Sequence, residues 1–297
     1  MTDNNVQLRH RILHWVFKIS DLKKWIEFSK EVLDSRVYRH EEFDSGCEAT
    51  CNGPYDGSWS KTMLGPSDEK KFCIELTYNY GIHHYEKGNE LQWITLKYPG
   101  AAQKAKNQIH WKVEEKQDKS VLVTGPDDQV WRFVDGESEN GPDEPFHSIT
   151  LSTTNVEKAE EYYTKVLGMK NYAKQGEPPL VGYGPQQTKL ELVQVEGPID
   201  FKTAPGRVAF NTSSVPIIYQ RAKDAGTTIL NHPTTLPTPG KADVVVTILK
   251  DYDGNEICQV NEEGFDALSE LVEGADFIDW EERERKDKLI EKWNNRK

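Results

Sequence analysis

Two glutamates are placed where a carboxylate could do chemistry. Glu75 lies at the centre of Lys71-Phe-Cys-Ile-Glu-Leu-Thr77, and Glu191 at the centre of Thr188-Lys-Leu-Glu-Leu-Val-Gln194. Each interrupts a mostly apolar, strand-like run, a setting in which a carboxylate can bind a cation or move a proton. Other reactive types give weaker signals. Cys47 and Cys51 are four apart, but no second Cys or His pair lies at a matching spacing to complete a zinc clamp, so free thiols are expected. His83 and His84 follow the Glu75 strand in a turn and read as surface residues. Gly65-Pro66 and Gly184-Pro185 are turns rather than phosphate loops.

The two glutamate strands close two copies of one repeat. Leu13 to Leu22 is an apolar strand running into an Asp21 cap, followed by a helix over Lys23 to Leu33. Ser148 to Val156 does the same with Asn155 as cap, Glu157 to Leu167 as helix and Gly168 as its stop. The first copy carries an insertion around Cys51-Asn-Gly-Pro-Tyr-Asp-Gly-Ser-Trp-Ser60, which is turn chemistry. A shorter module of the same order follows each copy. One runs from Gln92–Lys97 to Val130–Val134. The other runs from Gly206–Asn211 through a helix opened by Pro216, to two strands joined by the Asp251-Tyr-Asp-Gly254 turn. The expected architecture is α+β, four β-α-β-β-β modules paired into two domains over 8–134 and 146–262. Between them 135–145, polar and rich in Gly and Pro, reads as an exposed linker. Residues 263–297 read as a charged helical tail with Phe265, Leu268, Leu271 and Trp280 available to dock it.

Composition excludes several functions. The chain has 297 residues, 36% hydrophobic and 29% charged, which suits a soluble, core-forming protein. Lys and Arg total 37 against 49 Asp and Glu, a net charge of −12, so no broad basic face for nucleic acid is expected. No apolar run is long enough to span a bilayer. Four scattered cysteines make no disulfide framework and suit a reducing compartment. The basic, apolar start from Leu8 to Lys18 has the character of a mitochondrial presequence, but it contains the first strand and is read as structure. A cytoplasmic setting is expected, with mitochondrial association open and secretion not expected.

Four segments are similar to glyoxalase I and the vicinal-oxygen-chelate superfamily: Val166 to Lys170, Ile74 to Gly81, Tyr183 to Pro185 and Asp251 to Ile257. The four-module length and the Asn52-Gly-Pro-Tyr-Asp-Gly loop look most like the glyoxalase-domain-containing protein 4 subfamily. The resemblance covers roughly residues 8 to 262. It implies cupped half-barrel sheets closing around a divalent metal that binds an enediolate, with a carboxylate ligand shuttling the proton.

The resemblance carries ligand positions across one at a time. They fall on His14 and Glu75 in the first module, Trp93 and Arg132 in the second, Ser148 and Glu191 in the third, and Arg207 and Cys258 in the fourth. It further implies that modules one and four share a cavity, as do two and three. In the first cavity His14, Glu75 and Glu256 are the expected metal ligands (for Zn, Ni or Mn) and Glu75 the catalytic base. Glu256 is a replacement carboxylate two residues before Cys258 on the same strand face, and Cys258 is a thiolate candidate. Glu191 is the candidate of the second cavity. The arginines argue the other way, since each repels a cation and is expected to pair with Glu75 or Glu191. His147, one residue from Ser148, turns to the other face and reads as structural. Lys18 and Asn79 match glutathione contacts; the alternatives are a solvated strand-end lysine and a turn residue. Two functions follow. One is metal-assisted isomerisation of the methylglyoxal–glutathione hemithioacetal, with glutathione as co-substrate, in a lactoylglutathione lyase. The other is a catalytically degenerate relative, monomer or homodimer, that binds a small molecule or, through its tail, a protein partner.

Overall fold

The computed structural model describes residues 10–66, 68–238, 241–270 and 272–294. β1 (His10–Ile19) is buried along nearly its whole length, and the Asp21 side chain accepts the Lys24 N–H to start α1 (Leu22–Glu31). β2 (Arg36–Phe43), β3 (Trp59–Gly65) and β4 (Cys73–Asn79) complete module one. Module two is β5 (Leu91–Lys97), α2 (Ala101–Lys106), β6 (Lys112–Glu115), β7 (Val121–Thr124) and β8 (Val130–Val134). Module three is β9 (Phe146–Thr153), α3 (Val156–Glu161) with a π turn after it, β10 (Lys170–Asn171), β11 (Leu180–Gly182) and β12 (Lys189–Gln194). Module four is β13 (Arg207–Thr212), α4 (Val215–Asp224), β14 (Ile229–Leu236), β15 (Val244–Lys250) and β16 (Glu256–Asn261). The fold is α+β, built from four β-α-β-β-β modules.

Each sheet draws on both halves of the chain. The order β14-β15-β16-β13-β1-β4-β3-β2 joins modules four and one across the antiparallel β1–β13 pair. The order β10-β11-β12-β9-β5-β8-β7-β6 joins modules three and two across β5–β9. Within every module the first strand runs parallel to the last, because the helix carries the chain back to the starting edge. The pairing of one with four and two with three is the one the resemblance implies.

Period-2 alternation divides β1 between two environments. Trp15, Phe17 and Ile19 enter a core shared with Trp131, Phe133 and Phe146 of the other sheet, and Trp25 lies 4.9 Å from Phe17 and 6.5 Å from Trp131. Glycine is required at 206, where a Cβ would come within 2.0 Å of the Trp15 indole.

Three expectations change on contact with the structure. The linker is not simply exposed: Asn140 and Glu144 are buried, the first donating to the Phe146 carbonyl and the second accepting the Phe72 N–H. The tail forms two helices, α5 (Glu262–Leu268) and α6 (Trp280–Asn294), rather than one. Phe265 and Leu268 are buried, Trp280 lies 5.2 Å from the Lys23 ammonium, and Leu271 falls outside the described residues. Cys47 and Cys51 are joined in a disulfide rather than free, because the loop that carries them folds back on itself. No helix among the described residues is long and apolar enough to cross a membrane.

Candidate functional site

His14 and Val16 face away from the shared core onto the concave side of the first sheet, where Glu75 of β4 meets them. The His14 Nε2 and Glu75 Oε2 atoms are 3.2 Å apart, and both side chains are more than nine-tenths buried. Burial alone would raise the Glu75 carboxyl. The hydrogen bond from His14, with Lys61 and Arg39 nearby, instead brings it down to about 2. The pair opens on a cavity of about 80 Å³. Its walls include Arg39, Trp59 and Lys61 from β2 and β3, and Val246, Cys258 and Val260 from β15 and β16. Phe265 and Leu268 of α5 line it from the tail, and Cys51 lines it from the 44–58 loop.

Arg39 and Lys61 were not singled out from sequence. They belong to a buried charge set in which Arg39 pairs with Glu41 and, at 2.7 Å, with Glu69, while Lys61 reaches Glu41 at 2.8 Å. Glu41 and Lys61 are register partners on neighbouring strands. The clue was therefore present as alternating charges in Tyr38-Arg-His-Glu41, but only with the β2–β3 register known.

Arg207 does not pair with Glu75, contrary to expectation. Its Nε and Nη2 donate to Glu256 Oε2 at 2.9 and 2.5 Å, since β13 and β16 are adjacent and in register at these two positions. Its remaining donors hold the carbonyls of Ala49 and Thr50 and the Thr50 hydroxyl, which ties the disulfide loop over the cavity. Glu256 is thus drawn to Arg207 and is absent from the cavity wall, so the expected third ligand is not brought to His14 and Glu75. Cys258 lines the cavity, but burial pushes its thiol up to about 12 and away from thiolate chemistry, with Arg207 opposing. Among the described residues no three His, Cys, Asp or Glu side chains gather so as to hold a metal ion. The donor set does not fit the family's metal: two ligand positions are retained, a third is a guanidinium and the fourth a neutral thiol.

The two glutathione candidates are also engaged elsewhere. Lys18 is 3% exposed, not solvated, and its ammonium donates to the Pro205 carbonyl at 2.7 Å. Burial and then Arg207 lower it to about 8. Gly53 of the loop packs so close that a Cβ there would sit 2.8 Å from Lys18 Cε. Asn79 donates to the Asn52 carbonyl and the Tyr85 hydroxyl and accepts from the Asn52 amide, all near 3.0 Å. It pins the insertion loop, a tertiary role that spacing alone does not disclose.

The second sheet presents Trp93, Arg132, Ser148 and Glu191. Glu191 accepts the Thr150 hydroxyl at 2.5 Å and is half-buried. Arg132 pairs with exposed Asp118 at 2.5 Å rather than with Glu191, and its guanidinium lies 5.7 Å from the Trp93 ring centre. His147 turns toward Glu139 of the linker, 3.5 Å away. His83 is not a bare surface residue: it meets Glu291 of α6 at 2.8 Å.

Residues 155–268 match the family model described as Glyoxalase domain-containing protein 4-like, C-terminal domain. The chain is 39% identical over 291 residues to Glyoxalase 1 of Caenorhabditis elegans, covering 95% of this chain and 99% of that protein. It is 38% identical over 276 residues to glyoxalase domain-containing protein 4 of Rattus norvegicus, covering 91% of each. The crystal structure of glyoxalase I from Zea mays superposes with a TM-score of 0.71 at 23% identity, over 87% of this chain and 94% of that one, a likeness of fold. With this length of match and this module order, the chain belongs to the glyoxalase domain-containing protein 4 family, within the vicinal-oxygen-chelate superfamily.

Proposed function

We propose that this chain binds a small polar molecule, the size of a three-carbon dicarbonyl or its hydrate, in the His14–Glu75 cavity without metal-assisted turnover of a glutathione adduct. Arg207 carries this reading. It stands at a metal-ligand position of the family, and its guanidinium is already paired with Glu256. A guanidinium has no lone pair to give a metal, so the position supplies no ligand. The size of the cavity supports the same reading, because about 80 Å³ corresponds to about three water molecules at about 30 Å³ each. A tripeptide adduct needs far more room. Within that space His14 and Glu75 offer a hydrogen-bonding pair and Lys61 a cation, enough to hold a carbonyl and a hydroxyl. Trp59 in the wall provides the readout. Titration with hydroxyacetone is expected to give saturable fluorescence quenching, weakened at least about tenfold in His14→Ala. Absence of saturation in the wild-type chain would remove this reading.

A second reading is favoured by the intact His14–Glu75 pair and by the names of the relatives. It keeps metal-assisted isomerisation of the methylglyoxal–glutathione hemithioacetal, with glutathione as co-substrate, Glu75 as proton acceptor and His14 as a ligand to Zn, Ni or Mn. Its mark is metal-dependent formation of lactoylglutathione. The cytoplasmic setting, with mitochondrial association, belongs to either reading and rests on the sequence alone. So does a protein partner acting through the tail, which would compete with the contacts of Arg283 and Asp287 on module one.

A further inference from the structure

A cleft on the seam between the two sheets lies outside the cavity described above. Its volume is about 370 Å³, and it is walled by the start of β1, the approach to β4, the end of the linker and the β11–β12 turn. Glu144 reaches it from the linker, 4% exposed, with Oε2 accepting the Phe72 N–H at 3.0 Å. Its other oxygen, Oε1, is buried with no hydrogen-bond partner, and so is Oε1 of Gln187 on the facing turn. The Thr188 hydroxyl lies beside the Glu144 carboxylate and stabilises it weakly, but the protons of the nearby donors are committed elsewhere. The Thr188 hydroxyl donates to the Phe146 carbonyl, and the Lys189 ammonium donates to Asn140 and to the carbonyls of Pro185 and Gln187.

A buried acceptor left alone is costly, and two on one cleft call for a donor held between them. Three cations stand in the same cleft: Arg11, Lys70 and Lys71. The Arg11 guanidinium is oriented by the carbonyls of Glu69 and Lys71. A bare ammonium would meet these cations unfavourably, and a bare anion would meet Glu144. A molecule carrying both charges a few atoms apart satisfies both walls. The cleft also adjoins a larger groove of about 1070 Å³, which shares Arg11, Lys70 and Gln187 with it.

We propose that this cleft binds the head group of a free α-amino acid. The ammonium donates to Glu144 Oε1 and Gln187 Oε1, the carboxylate faces Arg11, Lys70 and Lys71, and the side chain extends toward the larger groove. Burial holds the Glu144 carboxyl up at about 7, against the Phe72 N–H, the Lys71 and Arg11 charges and the Thr188 hydroxyl, so the ionised form predominates at mildly alkaline pH.

Calorimetric titration of the full chain at about pH 8 tests this, with L-alanine, L-leucine and L-glutamate as zwitterions and with propionate and ethylammonium as single-charge controls. One zwitterion or more should saturate a single site with a dissociation constant of about 1 mM, and neither control should. Glu144→Gln keeps an acceptor for the Phe72 N–H, so the chain should fold, and it should bind at least about tenfold more weakly. Lys71→Met should weaken binding as well. No saturation by any of the three amino acids, equal affinity in Glu144→Gln, or equal binding of propionate would each overturn the proposal.

Discussion

The two sheets repeat one topology, yet their concave faces have diverged in opposite directions. The first face is covered in part: α5 and the disulfide loop lie over it, with His14, Glu75 and Arg39 buried and Lys61 half-buried in the cavity beneath. The second presents Trp93, Arg132 and Glu191 half-buried. Its arginine reaches outward to a solvated aspartate. The same substitution, arginine at a ligand position, therefore has two consequences. Arg207 becomes a structural tie between β13, β16 and the loop, while Arg132 becomes a partly exposed ion pair over an indole. What separates them is the lid, because desolvation makes each charge partner obligatory on one face and optional on the other.

That contrast can be broken by mutation. Arg207→Ala should cost the most, about 3–5 kcal/mol in urea unfolding, since it strands Glu256 and frees two loop carbonyls. A cost under about 1 kcal/mol would mean that the loop is not tied through this side chain. Phe265→Ala, which removes a buried ring from the lid, should lose about 3 kcal/mol and open the cavity to quenchers of Trp59 fluorescence. Unchanged quenching would show that α5 is not what closes the face.

The Glu75 carboxyl sharpens the comparison through pH. Its folded value, about 2, is below the ordinary carboxylate value. Its contribution to stability is thus fully present above about pH 4.3 and is lost as pH falls toward 2. Glu75→Gln should flatten acid unfolding in that window. An identical acid profile would remove the His14–Glu75 hydrogen bond from the site. Arg132→Ala should have the smallest effect, under about 1 kcal/mol, because its Asp118 partner is more than half exposed. A loss as large as that of Arg207→Ala would mean the two faces are not different in kind.

Much of this was legible before the structure. The repeat, the Asp21 and Asn155 caps and the module pairing follow from local pattern and from family resemblance, and the structure has all of them. The failures share a physical cause: each depended on contacts between residues far apart in the chain. Lys18 reads as a strand-end lysine until Gly53 and Pro205 enclose it. Glu256 reads as facing His14 until the β13–β16 register delivers it to Arg207. Cys47 and Cys51 look isolated until Asn52 and Arg207 fold their loop. Glu144 sits in a polar run, and only the Phe72 N–H explains its burial.

The most direct measurement is the rate of lactoylglutathione formation from methylglyoxal and glutathione by the full chain, with excess Zn²⁺, Ni²⁺ or Mn²⁺. With Arg207 bound to Glu256 at a ligand position, the expected rate is that of the protein-free reaction, unchanged in Glu75→Gln. Metal-dependent turnover that Glu75→Gln abolishes would contradict the metal-free reading and establish the lyase instead.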